Sequence, residues 1–325
     1  MELSKTYVYA SEPSNNADEL HGMNYKKALQ EIGKNRNWIK VELVRKGWST
    51  DLKYHIYDDS GREFLLRISK RDEFTRRKLD YERISKLSEL GIVMPKPVEF
   101  GTCCDKKFVY MLLSWVIGKD AEKNLENLDR TEQYSLGIQA GHTLRKMHSI
   151  KGSLDNETWH VHYGKKIDRV IDLYNNCPAK LRYGNVIIDF IRSNMFLLEE
   201  REITLQHGDY HVGSFVITKD RQLGIIDFNR SCYGDPWEEY DRFVFTWSTS
   251  IPFAAGQIDG YFDFSIPENF FKLMSLYNAT NMLASIPWAI PFGETDVQAM
   301  IKNCDLVFDC YDEFQSFIPN WYPQG

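Results

Sequence analysis

The stretch LQHGDYHVGSFVI, residues 205–217, places an aspartate between two apolar runs. Asp209 follows a His-Gly pair, and glycine gives the backbone the freedom to present an acid at a turn. A second stretch, IIDFNRSCYGDP at residues 225–236, places Asp227 directly after another apolar run. An isolated loop aspartate is most often a turn former. Two acids at the ends of two successive strand-like runs instead favour one site to which both contribute.

The composition is that of an ordinary globular protein. Of 325 residues, 43% are hydrophobic and 26% are charged, and the length favours about two structural units. The net charge of −6 argues against general nucleic-acid binding, which needs a basic face. No apolar run reaches the ~18 residues of a membrane span, and no secretory signal pattern opens the sequence. The six cysteines form no Cys-x-x-Cys pair, so we predict reduced thiols and a cytoplasmic location.

The pattern of apolar residues changes near residue 114. Before it, alternation predicts strands, a charged amphipathic stretch predicts a helix at 72–90, and residues 1–20 are polar enough to be loosely ordered. After it, residues 129–150 carry apolar side chains on one helical face, with Thr131 as the expected N-cap. We therefore predict a sheet-plus-helix lobe at 1–114 and a larger helical lobe at 115–325. The predicted strands are 39–47, 52–59, 62–69, 107–118 and an extended segment at 93–101.

Phosphoryl transfer needs two such acids. One carboxylate orients the attacking hydroxyl and accepts its proton, and another holds Mg²⁺ on the phosphates. The two motifs together resemble those of the aminoglycoside phosphotransferase and choline kinase superfamily, whose catalytic loop reads His-Gly-Asp and whose metal segment reads Ile-Asp-Phe. The resemblance covers roughly residues 40–245. It implies an α+β, bilobal protein-kinase-like fold, with Asp209 as the catalytic base and Asp227 as a metal ligand.

The resemblance also assigns nucleotide-binding residues in the first lobe. The stretch RKGWSTDLKYHIY is similar to the hairpin that covers the nucleotide phosphates, where Ser49 and Thr50 would reach phosphate oxygens. An ordinary polar hairpin is an equally open interpretation. The stretch LLSWVIG is similar to the linker between lobes, where the Ser114 carbonyl and the Val116 N–H would pair with a purine.

Arg67 occupies the position at which the family has a strand lysine. A buried cation requires an anionic partner, and Glu82 in the following helix is the predicted one. The guanidinium group would bind nucleotide phosphates. The alternative is an exposed arginine and an unrelated surface glutamate.

Ser214 stands where the family usually has a metal-binding asparagine. A serine hydroxyl can still bind Mg²⁺, as it does in phosphate-binding loops. The alternative is that Ser214 only caps a turn.

Three further acids follow the metal segment. Glu238, Glu239 and Asp241 are either the acidic start of a helix, which we favour, or contacts for the acceptor.

The resemblance implies transfer of a phosphoryl group from ATP or GTP, with Mg²⁺, to a hydroxyl of a small molecule. An aminoglycoside-like antibiotic is the first acceptor class. The alternatives are a nucleotide-binding pseudokinase in which Ser214 suppresses transfer, and a metabolic kinase for a sugar or amino alcohol. The oligomeric state is left open by the sequence.

Overall fold

The computed structural model of the protein describes residues 8–9, 25–45 and 51–323. The chain divides into two compact units, Met1–Ile117 and Gly118–Gly325. The boundary falls after Ile117 rather than after Ser114. The first unit is built on a sheet and the second mainly on helices, so the predicted α+β class is confirmed.

The first unit is organised around one sheet. Within its described residues the sheet has six strands, in the order first, second, third, fourth, sixth, fifth, and only the first two neighbours are parallel. Alternate residues of the third strand are buried, as the period of two in its sequence predicts. The strands are β1 (Val8–Tyr9), β2 (Trp38–Leu43), β3 (Leu52–Asp58), β4 (Glu63–Lys70), β5 (Pro97–Cys103) and β6 (Phe108–Ser114).

Two helices accompany this sheet. Helix α1 (Tyr25–Gly33) buries four apolar side chains in a core shared with β3, β4 and β6. Each fully buried large aliphatic side chain contributes about 1.5–3 kcal/mol. Helix α2 (Phe74–Ser88) buries Ile84 and Leu87 but also the charged Arg77 and Asp80. Buried charges of this kind need partners inside the unit.

The second unit contains eight α-helices among its described residues, joined by short strands. A three-stranded sheet has the order β10-β9-β7, and β11 pairs with β8. The helices are α3 (Ala121–Asn124), α4 (Arg130–Met147), α5 (Trp159–Asn175), α6 (Gly184–Asn194), α7 (Val244–Trp247), α8 (Ile251–Phe262), α9 (Asn269–Ala289) and α10 (Glu294–Cys310). The strands are β7 (Lys119–Asp120), β8 (Thr204–Gln206), β9 (Phe215–Ile217), β10 (Leu223–Ile225) and β11 (Cys232–Gly234).

Helix α4 begins two residues earlier than the predicted N-cap implies. Asp129, and not Thr131, is the N-cap: its side chain accepts the Glu132 N–H, and the Glu132 side chain accepts the Asp129 N–H. This reciprocal pair is a capping box. Two of the unsatisfied N–H groups at the helix start are thereby bonded, which the single hydroxyl of Thr131 would not achieve.

Helices α4 and α8 approach each other closely enough for their backbones to touch. A Cβ atom at Gly137 of α4 would lie 2.1 Å from the Phe253 carbonyl oxygen, and one at Gly256 of α8 would lie 2.3 Å from that of Tyr134. Only glycine fits at these two positions. The contact fixes α4, against which the catalytic-loop segment is bonded, as described below.

No helix among the described residues is both long and apolar enough to cross a bilayer.

Candidate active site

The loop that carries Asp209 connects β8 to β9. The imidazole of His207 is buried, and its Nε2 lies 2.9 Å from the Ile226 carbonyl while its Nδ1 accepts the Asp209 N–H at 3.2 Å. Gly208 has a φ of +80°, and a Cβ there would lie 2.2 Å from the Arg230 carbonyl. The loop and the segment after β10 are therefore packed directly together.

The carboxylate of Glu239 binds the backbone of this loop. It accepts the backbone N–H groups of His207 and Gly208, and the residue is only 5% exposed. Burial raises the pKa of Glu239 to about 7, although His207 and the loop N–H groups oppose this shift. Its hydrogen bonds are with the loop, and it lies buried in the 3₁₀ turn Pro236–Tyr240 and not at the start of an α-helix. A contact of Glu239 with the acceptor stays a prediction.

The two carboxylate oxygens of Asp209 have different surroundings. Its Oδ1 lies 3.1 Å from Nη1 of Arg242, 3.5 Å from Nε2 of His211 and 3.8 Å from Nη1 of Arg230. Although burial favours the neutral acid, the hydrogen bond and charge of His211 and the charges of Arg242 and Arg230 hold the pKa of Asp209 well below its usual range. Asp209 is thus ionised at any physiological pH and is already directed by its neighbours.

Asp227 and Ser214 lie next to the paired ends of strands β10 and β9. Ile225 of β10 is opposite Phe215 of β9, and the Ile226 N–H donates to the Ser214 carbonyl at 2.9 Å. Asp227 has φ +67° and ψ +54°, a left-handed conformation that aspartate adopts more readily than most residues other than glycine.

A hydroxyl and a carboxylate suit a hard cation. Mg²⁺ commonly takes one or two protein oxygens and completes its shell with water and substrate phosphates. In the described part of the chain no group of three His, Cys, Asp or Glu side chains could hold a metal alone. Ser214 and Asp227 therefore fit a metal that a nucleotide helps to hold, and that role stays a prediction.

Arg67 has a different partner from the one predicted. Its Nη2 donates to Oδ2 of Asp51 at 2.7 Å, and Arg77 connects Asp51 to Asp80 in the helix. Glu82 is exposed and lies 3.9 Å from Lys78. The pairing of Arg67 with Glu82 is therefore wrong, because Glu82 projects from the outer face of α2 while Asp80 projects inward.

The remaining nucleotide-side predictions are untested. Ser49 and Thr50 lie outside the described residues. Ser114 ends β6, and its hydroxyl accepts the Lys96 N–H at 2.8 Å. Val116 lies two residues further along the chain and is partly exposed. Purine binding by the Ser114 carbonyl and the Val116 N–H stays a prediction.

The other two predicted acceptor acids lie in a group of balanced charges. Glu238 bonds Lys166, and the Gln206 side chain donates to it at 3.2 Å. Burial raises the pKa of Asp241, although Arg242 and Lys166 oppose that shift. Lys166 and Arg242 were not predicted. The single base after three acids in WEEYDRF was the available signal for Arg242, whereas nothing local marks Lys166.

The sequence of the chain matches one family model. That family is described as APH, the phosphotransferase enzyme family, and the match spans residues 40–270. A search among curated proteins gave no match.

Solved structures with the same fold extend the comparison. The GDP complex of a mutant aminoglycoside 2′-phosphotransferase-IIIa is 15% identical, with a TM-score of 0.69 over 90% of this chain and 99% of its own. An amicoumacin kinase with AMP-PNP, Ca²⁺ and Ami is 13% identical, with a TM-score of 0.63 over 92% and 95%. A choline/ethanolamine kinase family protein from Mesorhizobium loti is 15% identical, with a TM-score of 0.62 over 85% and 90%. At these identities the likeness concerns the fold.

Proposed function

We propose that this chain, which belongs to the phosphotransferase enzyme family and is a small-molecule phosphotransferase, uses ATP or GTP with Mg²⁺ to phosphorylate a hydroxyl group. The observation that carries this proposal is the pair of adjoining loops in the second unit. One presents Asp209, which Arg242 bonds, and the other presents Asp227 directly after Ile226, whose N–H is bonded to the Ser214 carbonyl. Phosphoryl transfer uses two carboxylates in these two roles.

Asp209 acts on the acceptor. Its carboxylate receives the hydroxyl hydrogen and holds the oxygen in line with the γ-phosphorus, and it takes the proton as the new P–O bond forms. Its low pKa makes it a weak base, so it orients the hydroxyl early and accepts the proton late. This order suits the loose transition state of phosphoryl transfer, in which the nucleophile carries little charge.

Ser214 and Asp227 would hold the metal, and Arg67 the nucleotide phosphates. Mg²⁺ supplies charge neutralisation on the phosphates when it is bound. The solved structures with this fold include complexes with GDP and with AMP-PNP and Ca²⁺, which supports a nucleotide donor and a divalent cation. The Arg67 guanidinium is fixed by Asp51, so the nucleotide would meet a cation that is already oriented.

For the acceptor we propose an aminoglycoside-like antibiotic. The aminoglycoside phosphotransferase among the solved structures supports this class. A cationic acceptor would meet Glu238 and Asp241, whose negative charges Lys166 and Arg242 partly offset.

A panel assay tests the function. The protein is incubated with ATP or GTP, with and without Mg²⁺, and with aminoglycosides, macrolides, amino alcohols and sugars. Nucleoside diphosphate release and the gain of one phosphoryl group by the acceptor are both measured, with Asp209→Asn as the control. Nucleotide binding without transfer to any acceptor would favour the pseudokinase, which the short Ser214 side chain supports. Failure to bind either nucleotide would overturn both.

A further inference from the structure

Arg242 ties the backbone of the catalytic loop to the side chain of its aspartate. A single nitrogen, Nη1, donates to the Gly208 carbonyl at 3.0 Å and to Oδ1 of Asp209 at 3.1 Å. The arginine comes from the segment that follows the 3₁₀ turn Pro236–Tyr240, which itself bears Glu239. The loop is therefore held on one side by the Glu239 carboxylate and on the other by the Arg242 guanidinium.

The cations near Asp209 are all on the same oxygen. Arg242, His211 and Arg230 face Oδ1, and only Arg242 approaches it within 3.2 Å. Among the residues that the structure describes, none bonds Oδ2. The Asp209 side chain is 18% exposed, so a substrate can reach its carboxylate.

The charges around Arg242 keep it in place. Asp241 lies 4.0 Å from its Nη2, and Asp241, Asp209 and Glu238 raise the pKa of Arg242 against the effect of burial. Lys166 is held by Glu238 and does not compete for Asp209. A charge-assisted bond in a partly buried site is stronger than an exposed ion pair.

We propose that Arg242 is a positioning residue that anchors Oδ1 of Asp209 and so directs Oδ2 at the acceptor hydroxyl. This inference rests on the proposed phosphoryl transfer. Without Arg242 the plane of the carboxylate is held only by the more distant His211 and Arg230, so an oxygen points at the hydroxyl in a smaller fraction of encounters. Loss of one charge-assisted bond to a reacting group corresponds to about a 10- to 100-fold fall in kcat.

Kinetics with matched variants test the positioning. Arg242→Gln should lower kcat about 10- to 100-fold while leaving the KM values for nucleotide and acceptor within about twofold. Arg242→Lys, which keeps a charged donor, should recover part of that loss. Arg145→Gln, which removes an exposed arginine paired with Asp263, is the control and should change neither constant. Equal losses in the Gln and Lys variants, or an effect on KM alone, would overturn the proposal.

A double-mutant cycle shows whether Arg242 acts through Asp209. In an Asp209→Asn background the further change Arg242→Gln should have little effect on the residual rate, because the two residues work as one unit. Full additivity would overturn the proposed route. Circular dichroism and thermal unfolding of each variant separate this result from loss of folding.

A measurement that does not depend on turnover separates this inference from the proposed function. The ¹³Cγ signal of Asp209, assigned with Asp209→Asn, reports the pKa of the carboxyl in the presence of its other neighbours, His211, Arg230, Asp241 and Glu239. Arg242→Gln should raise that pKa, and Arg145→Gln should not. An unchanged pKa would overturn the anchoring even if the enzyme is active. A raised pKa in a protein that transfers nothing would support the anchoring and reject the proposed function.

Discussion

Two groups of buried charges in this protein are built in opposite ways. In the first unit both oxygens of Asp51 are bonded, Oδ2 by Arg67 and Oδ1 by Ser69 and Arg77. In the second unit the cations near Asp209 gather on Oδ1 alone. A carboxylate bonded on both oxygens serves to hold its neighbours. A carboxylate with one oxygen left over can also act on a substrate.

The comparison is tested most strongly at Asp209. Asp209→Asn should lower the phosphoryl-transfer rate about 100- to 10,000-fold, because the amide orients the hydroxyl poorly and does not take its proton. Nucleotide affinity should change by less than about threefold, since this residue acts on the acceptor. Transfer kinetics and calorimetry give the two values. A parallel loss of nucleotide binding would contradict the assigned role.

The group around Asp51, in which both carboxylate oxygens are bonded, should contribute to the free energy of unfolding. Asp51→Asn leaves Arg67 and Arg77 short of a buried counter-charge, and we expect it to lower the free energy of unfolding by about 3–5 kcal/mol. Urea unfolding at neutral pH measures this change. Glu82→Gln is the matched control on the exposed face of α2, and its effect should stay within about 0.5 kcal/mol. Similar losses of unfolding free energy in the two variants would show that the Asp51 group does not stabilise the fold.

The raised pKa of Glu239 makes the free energy of unfolding depend on pH. Its pKa is raised from 4.5 to about 7, so the folded state holds the proton more tightly than the unfolded state. The stabilisation is complete below pH 4.5 and is lost as the pH rises through about 7, by roughly 3 kcal/mol.

Unfolding curves between these pH values should therefore show a downward slope that Glu239→Gln removes. Glu202→Gln, which changes an exposed acid beside Lys151, should keep the slope. The role of Glu239 would be rejected if both variants retained it.

Ser214 carries the smallest expected effect. An amide oxygen is a stronger metal ligand than a neutral hydroxyl and reaches further, so Ser214→Asn should lower the Mg²⁺ concentration for half-maximal activity. Ser214→Ala should raise it, and about tenfold is expected for one neutral ligand, the factor given by 1.4 kcal/mol. Identical Mg²⁺ curves for the three proteins would show that Ser214 only caps the turn.

Much of the fold could be predicted because it depends on local patterns. The alternation in β3 and β4 and the apolar face of α4 are visible in the sequence, and the predicted ranges agree with the strands and helices within a few residues. The motifs around Asp209 and Asp227 were also visible, since both lie at strand ends. These features involve residues that are close in the chain.

The partners of buried charges could not be predicted in the same way. Asp51 and Arg77 are 26 residues apart, and the helix acid that faces them is Asp80, two positions before the predicted Glu82. Two positions on a helix is a rotation of about 200°, which moves a side chain from one face to the other. The same limit applies to Arg242, whose bond to Asp209 spans 33 residues.

The hydrogen bonds between the catalytic loop and two helices determine how the protein loses activity on heating. The Tyr210 hydroxyl donates to the Ala140 carbonyl of α4 at 2.8 Å, and the Val212 N–H donates to the Thr246 hydroxyl of α7 at 3.1 Å. Helix α4 packs backbone to backbone against α8 at glycine positions, so no side chain separates the two helices there. The loop therefore has no separate melting step of its own, so inactivation and cooperative unfolding of the second unit should occur at the same temperature.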